Sequence, residues 1–245
     1  MPDYSSPEYW LSRFQKETHF EWLGSGHIIS LHVARAFGRT LSEDGTWSPD
    51  PSGENATTPR PTKILHIGSG TSKISLHLRS LVLAPIVNID FVENCLTQLR
   101  QFELNAFGNV KMGYEQLDML DWEQVEAQLR GKEGEETVLI IDKSTSDAIS
   151  CGPDRPSPFS SCLIPPVKVL AFNLAALSSP GSIWLALSYS TSRFDEIGEL
   201  WNIEERVKIP VTGGQQKEGV WAPEVWHTLF VLRRTDASLP SIVYK

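Results

Sequence analysis

Three features of this sequence predict a doubly wound α/β fold, a seven-stranded and mostly parallel sheet with helices on both faces. From residue 63 onward, short apolar runs alternate with stretches of helical periodicity. The first run passes directly into a glycine turn, as a parallel strand does before its crossover helix. The chain then closes on two longer β-like stretches, which supply an antiparallel C-terminal edge strand.

The elements follow in order. KILHIG (63–68) is a compact apolar run ending in glycine, and SKISLHLRSL continues it with Ile74, Leu78 and Leu81 on one helical face. IVNIDF (86–91) is a second run ending in an acid, followed by a helix with Leu96, Leu99 and Phe102. VKMGYEQLDML is the third strand with its exit loop. VLIIDK (138–143), the most apolar run, is expected at the centre of the sheet. Pro165 and Pro166 open a helix, VKVLAFNLAAL, because proline is favoured in a first turn. SIWLALSYS (182–190) is the fifth strand, and Ser192 with Asp195 resembles a capping box that starts a helix over EIGELW. NIEERVKIPV and VWHTLFVLRR form the terminal pair around a Gly213–Gly214 turn.

Before this core, residues 1–41 read as a helical segment. Residues 42–62, rich in Pro, Gly, Ser and Thr, read as a flexible connection, since proline removes donors and fixes φ. A second Pro-rich stretch, Cys151 to Pro166, reads as a loop after a buried strand. The 245 residues are expected to form a single domain, with residues 63–245 as its α/β body.

Composition excludes several classes. A net charge of −8 without a dense Lys/Arg run argues against a nucleic-acid partner. No stretch approaches the ~20 apolar residues needed to span a bilayer, so membrane insertion is not expected. The N-terminus lacks a basic and then apolar leader, which points to the cytoplasm or nucleus and makes the Asn55-Ala56-Thr57 sequon a chance match. Three cysteines without CxxC spacing, and six histidines without close ligand spacing, predict neither a disulfide framework nor a metal site. His66, alternating with Leu65 and Ile67, reads as a core or cleft histidine.

The chemistry-bearing residues cluster at strand ends. Gly68, Ser69 and Gly70 make a turn where a cofactor can approach the backbone, although Lys73 stands where a third fingerprint glycine belongs. Asp90, about twenty residues on, suits two ribose hydroxyls, and Phe91 suits one face of an adenine. Asp118 and Met119 fall where an adenine amino group would be bordered. Asp142 and Lys143 leave the central strand toward the crevice where open α/β sheets bind ligands. Asp142 and Asp147 also fit a second role, as caps of the turn and helix that follow.

Together YWLSRFQKETHFEWLG, LHIGSGTSKIS, NIDF and IDKSTSDAI resemble one group of eukaryotic class I, S-adenosylmethionine-dependent methyltransferases with a Rossmann-like fold. These act on lysines or the N-terminus of translation elongation factor 1-alpha. The resemblance runs from Tyr9 to about Ile149, on a start that carries Tyr9, Trp10, Arg13 and the pair Glu21 and Trp22, and on a DKGTLDAL-like segment. It implies S-adenosylmethionine as donor and S-adenosylhomocysteine as product. It places Trp10 and Arg13 against the methionine end, Gly68, Ser69 and Gly70 at the turn, Asp90 on the ribose, and Asp118 and Met119 beside the adenine. Asp142 and Lys143 would then line the transfer site. Ser144 and Ser146 depart from the group by replacing its glycine and leucine.

The resemblance implies a protein amine as acceptor. A small metabolite is the alternative, since the two Pro-rich segments lie where specificity is decided. A donor-binding scaffold with a regulatory protein partner is a third reading. An NAD-dependent dehydrogenase is disfavoured by the missing third glycine.

Overall fold

The computed structural model describes residues 2–17, 20–24, 26–42, 46–49, 60–81, 84–129, 136–157, 162–211 and 225–239. Two helices, α1 (Pro7–Phe14) and α2 (His27–Ala36), precede a small hairpin, β1 (Arg39–Leu41) with β2 (Trp47–Pro49). The body follows as β3 (Lys63–Ile67), α3 (Ile74–Arg79), β4 (Ile86–Asp90), α4 (Glu93–Phe107), β5 (Gly113–Gln116), α5 (Trp122–Leu129) and β6 (Val138–Lys143). After α6 (Thr145–Ile149) come a second hairpin, β7 (Arg155–Pro156) with β8 (Leu163–Ile164), and then α7 (Pro166–Ala176). The chain ends with β9 (Ile183–Ser188), β10 (Trp201–Pro210) and β11 (Trp226–Arg234).

Seven of these strands form one sheet in the order β10-β11-β9-β6-β3-β4-β5. The pairs β3–β4, β4–β5, β3–β6 and β6–β9 are parallel, while β11 runs antiparallel to both β9 and β10. The predicted doubly wound sheet is therefore present, β6 stands at its centre, and its antiparallel edge is the C-terminal pair.

Alternation along the strands builds two apolar layers. Leu65, Ile67, Ile140 and Trp184 face α5 and α7, where Leu170, Leu174 and Val125 bury against them. Ile64, Leu139, Ile141 and Leu185 face the other way, onto Ile29 and Val33 of α2 and Ile74 and Leu78 of α3. Every residue of β6 and β9 is buried, which explains why both read as continuous apolar runs.

Four local expectations are corrected. EIGELW is a chain of turns, not a capped helix. Phe194, Ile197 and Leu200 bury against the core, Gly198 takes φ +91°, and the Asp195 carboxylate leaves its cap position to accept Arg206 Nη2 at 2.6 Å. The 42–62 segment contributes β2 to a hairpin, because that two-stranded edge tolerates Pro49. Its remaining residues 43–45 and 50–59, with the Gly213–Gly214 turn and the 55–57 sequon, lie outside the described residues. The 151–166 stretch follows α6 rather than a strand directly, and pairs with itself through β7 and β8. On α4, Leu96 and Leu99 are buried as expected, but the next buried position is Glu103, at 0% exposure, and Phe102 is only partly buried.

Glu103 is a buried charge with a full set of partners. It accepts Lys111 N at 2.8 Å, Met112 N at 3.0 Å and the Tyr114 hydroxyl at 2.9 Å, and it pairs with Arg79 at 2.8 Å. This knot ties α4 to the entry of β5 and to the end of α3. Removing one member of such a pair leaves the other charge buried and unpaired. Glu103→Ala is expected to lower stability by about 3–5 kcal/mol in urea unfolding.

Candidate active site

The carboxyl ends of β3, β4, β5 and β6 share one edge of the sheet, and connections diverge to the two sides between β3 and β6. A crevice opens at such a switch point. Here it is a cavity of about 1060 Å³.

Its floor is the turn after β3. Gly68 and Gly70 hold φ +52° and +50°, a conformation that glycine adopts without steric cost. A Cβ on Gly68 would lie 2.1 Å from Thr145 Oγ1, and that hydroxyl donates to Ile67 O at 3.0 Å. The turn is thus locked to the exit of β6. Ser69 is 2% exposed, and its buried hydroxyl has no protein partner. Asp90 accepts Gly70 N through Oδ2 and Val92 N through Oδ1, both at 2.9 Å. Burial pushes its carboxyl above the usual carboxylate range, against the pull of these two N–H groups.

Phe91, Asp118 and Met119 continue the lining beyond Asp90, and Asp118 Oδ1 accepts Leu120 N at 2.9 Å. His66 also reaches the cavity. It is 1% exposed, with Nδ1 2.8 Å from Ser75 Oγ, and burial holds its pKa down to about 4, so the ring is neutral at pH 7. Gly68, Ser69, Gly70, Asp90, Phe91, Asp118, Met119, Trp10 and Lys143 all meet at this one cavity.

The opposite wall comes from the N-terminal segment, through Tyr4, Trp10, Phe14, Phe20 and Trp22. Their rings pack on each other, with Trp10 stacked on Phe14 at 5.6 Å and edge-on to Trp22 at 5.9 Å. Asn94 and Gln98 of α4 donate to Phe14 O at 2.7 and 3.1 Å, and Phe20 N donates to Thr71 Oγ1 at 3.1 Å. Glu21 makes the tightest link. Its carboxylate accepts Ser72 Oγ and Lys73 N, each at 2.9 Å, and binds the ammonium of Lys143. Lys143 Nζ also donates to Gly24 O at 3.2 Å. Burial pulls the Glu21 carboxyl upward, but these bonds prevail and hold it below its ordinary value.

Two predicted site residues stand outside the lining. Arg13 packs on the back of the aromatic wall, 4.6 Å from the Trp22 ring centroid. Its guanidinium is taken by Glu17 Oε2 at 2.6 Å and the Tyr9 hydroxyl at 2.7 Å. Asp142 is wholly buried, with Oδ1 accepting Thr145 N at 2.9 Å and Ser146 N at 3.2 Å, the capping role. Asp147 instead lines the cavity, beside Ser144, Arg155 and Tyr189. The spacing of two acids does not reveal which one faces a crevice. Tyr4, Phe14 and Phe20 were not among the expected site residues, and the density of six aromatic residues within the first 22 positions is the signal that could have found them. Among the described residues, no group of three His, Cys, Asp or Glu is placed to hold a metal, and no helix is long and apolar enough to cross a membrane.

Comparison with known proteins agrees with this geometry. An S-adenosylmethionine-dependent methyltransferase from Anabaena variabilis matches over 94% of this chain and 93% of its own, at TM-score 0.57 and 9% identity. The N-methyltransferase NodS from Bradyrhizobium japonicum, solved with S-adenosylhomocysteine, matches over 92% and 98% at TM-score 0.53 and 11% identity. The fold is that of the class I S-adenosylmethionine-dependent methyltransferases. In sequence, the chain is similar to methyltransferase srdJ of Neurospora crassa, 28% identical over 233 residues, 95% of this chain and 85% of that protein. Fold and relative agree on a methyltransferase. No protein-family model matches the sequence.

Desolvation, with Asp147 nearby, raises the Asp142 carboxyl to about 7, while the Ser146 and Thr145 N–H groups oppose it. A folded-state pKa above the unfolded one gives stability that is complete below the unfolded value and lost as pH rises through the folded one. Asp142→Asn is expected to remove this dependence. Unfolding curves of the two proteins should then diverge between pH 5 and 8 in favour of the variant.

Proposed function

We propose that this methyltransferase moves a methyl group from S-adenosylmethionine to a nucleophilic atom of a small organic molecule. One observation carries the choice of acceptor. The cavity lining runs from Phe91 and Asp118 to Ile149, Arg155 and Tyr189, past the residues that suit a nucleoside, and its volume of about 1060 Å³ stands at the upper end for ligand pockets. Single-ligand pockets run about 300–1,000 Å³. Its aromatic wall suits a flat, apolar acceptor.

The residues present fit the donor. Ser69 offers an unused buried hydroxyl at the glycine cradle, where the backbone is open to close approach. Asp90 keeps lone pairs beyond its two backbone bonds for the ribose hydroxyls. Phe91 covers the adenine, and Asp118 and Met119 border it. When bound, the donor supplies an electrophilic methyl group on a sulfonium. The protein's part is alignment and the exclusion of water. Trp10, Phe14, Phe20 and Trp22 provide the dry wall, and Glu21 neutralises the Lys143 ammonium, which would otherwise repel a cationic donor.

A protein amine is the second reading. It is favoured because Trp10, Glu21 and Trp22, which carry the sequence resemblance to elongation-factor methyltransferases, build this wall.

Methyl-tritiated S-adenosylmethionine, incubated with the enzyme, a panel of phenols and aromatic amines, and a eukaryotic protein extract, separates the two. Label in the small-molecule fraction is expected. Label confined to protein would replace the first reading with the second. Asp90→Ala is expected to weaken S-adenosylmethionine binding by about tenfold or more in calorimetric titration, since two hydrogen bonds to a charged group are lost.

A further inference from the structure

Among the described residues only Leu23 and Ser144 hold a positive φ without being glycine. Ser144 has φ +70° and ψ +6°, directly after the last residue of β6. A side chain is disfavoured there relative to glycine, and the segment this sequence resembles carries glycine at that position. A serine held in a glycine conformation at the rim of a cavity points to a use for its hydroxyl.

The hydroxyl does not serve the backbone. Ser144 occupies the N-cap of α6, yet its side chain caps no helix N–H. Its Oγ donates to Asp147 Oδ2 at 3.3 Å. Asp147, 2% exposed, is itself fixed by Tyr189 N and Arg193 Nε, both at 3.0 Å, and by the Ser188 hydroxyl. With its proton directed to a carboxylate, Ser144 turns oxygen lone pairs to the cavity that both residues line.

Position along the sheet says what meets those lone pairs. Gly68, Asp90 and Asp118 stand at or just beyond the ends of β3, β4 and β5. A nucleoside laid with adenine by Asp118 and ribose by Asp90 therefore brings its sulfur end toward β3. The next strand in that direction is β6, across the switch point, and it delivers Ser144.

We propose that Ser144 is an acceptor-binding residue: its Oγ, aimed by Asp147, accepts a hydrogen bond from the N–H or O–H of the methyl acceptor and so turns the acceptor's lone pair toward the donor. The proposal rests on the reading of the cavity as a joint donor and acceptor chamber. It also narrows the acceptor to an amine or a hydroxyl. An ionised carboxylate and a thioether have no hydrogen to give.

Sinefungin, which carries an ammonium group where S-adenosylmethionine carries its methylsulfonium, tests this without a known acceptor. It is titrated beside S-adenosylhomocysteine into the wild type, Ser144→Gly and Ser144→Ala. The wild type is expected to prefer sinefungin by about tenfold, as one hydrogen bond to a charged group provides. Both variants should cut that preference to about twofold or less, with S-adenosylhomocysteine affinity unchanged. Ser144→Gly should also raise the Tm by about 2–4 °C through relief of the positive φ, an effect Ser144→Ala cannot share. A preference that persists in both variants, or is absent from the wild type, overturns the proposal. Failure of the wild type to bind either compound overturns the donor-site reading, and the Ser144 assignment with it.

Discussion

The Glu21 carboxylate joins three parts of the chain, the N-terminal segment, the turn after β3 and the end of β6. It accepts from Ser72 Oγ and Lys73 N in the turn after β3, and it balances the ammonium at the end of β6. The Lys143 side chain is only 3% exposed, so its charge depends on that partner. A buried cation without a counter-charge is strongly unfavourable, and the chain meets this constraint by bringing its N-terminal segment across the crevice. Everything that segment contributes follows from the same tie. The rings of Trp10, Phe14, Phe20 and Trp22 become a wall of the cavity, and α1 gains its seat on α4 through Asn94 and Gln98.

Beneath that wall, the floor is set by close approach. Gly68 lies against Thr145 with no space for a side chain, so the turn after β3 packs directly on the exit of β6. Asp90 then fixes Gly70 and Val92 from the neighbouring strand. Contacts that fix a binding turn in advance reduce the ordering cost on binding.

Much of this was legible in the sequence, for physical reasons that also mark the limits. Parallel strands buried on both faces appear as uninterrupted apolar runs, so β3, β4, β6 and β9 could be read directly. Their ends, Gly68, Asp90 and Lys143, followed from the topology. Side-chain direction did not. Arg13 has the charge and fork geometry to hold a carboxylate, but a glutamate one helical turn on claims its guanidinium, and i,i+4 pairs of this kind compete silently with any tertiary role. Asp142 and Asp147 are five positions apart around a short helix, and only the fold decides that the first caps and the second faces the cavity. EIGELW misled because Phe194, Ile197 and Leu200 recur every third residue, which imitates a helical face, while Gly198 turns the chain away. Ser144 was visible as a departure from a glycine, but its meaning depends on a positive φ that no spacing reveals.

On the proposed function, the N-terminal segment, latched by Glu21, completes the site that holds S-adenosylmethionine. Calorimetric titration of Glu21→Ala with S-adenosylhomocysteine, beside the wild type, tests it most directly. Affinity weaker by about tenfold or more, in a protein whose circular dichroism is unchanged, is the predicted result. Equal affinity in the two proteins would contradict the account, because the donor site would then be complete without the latch.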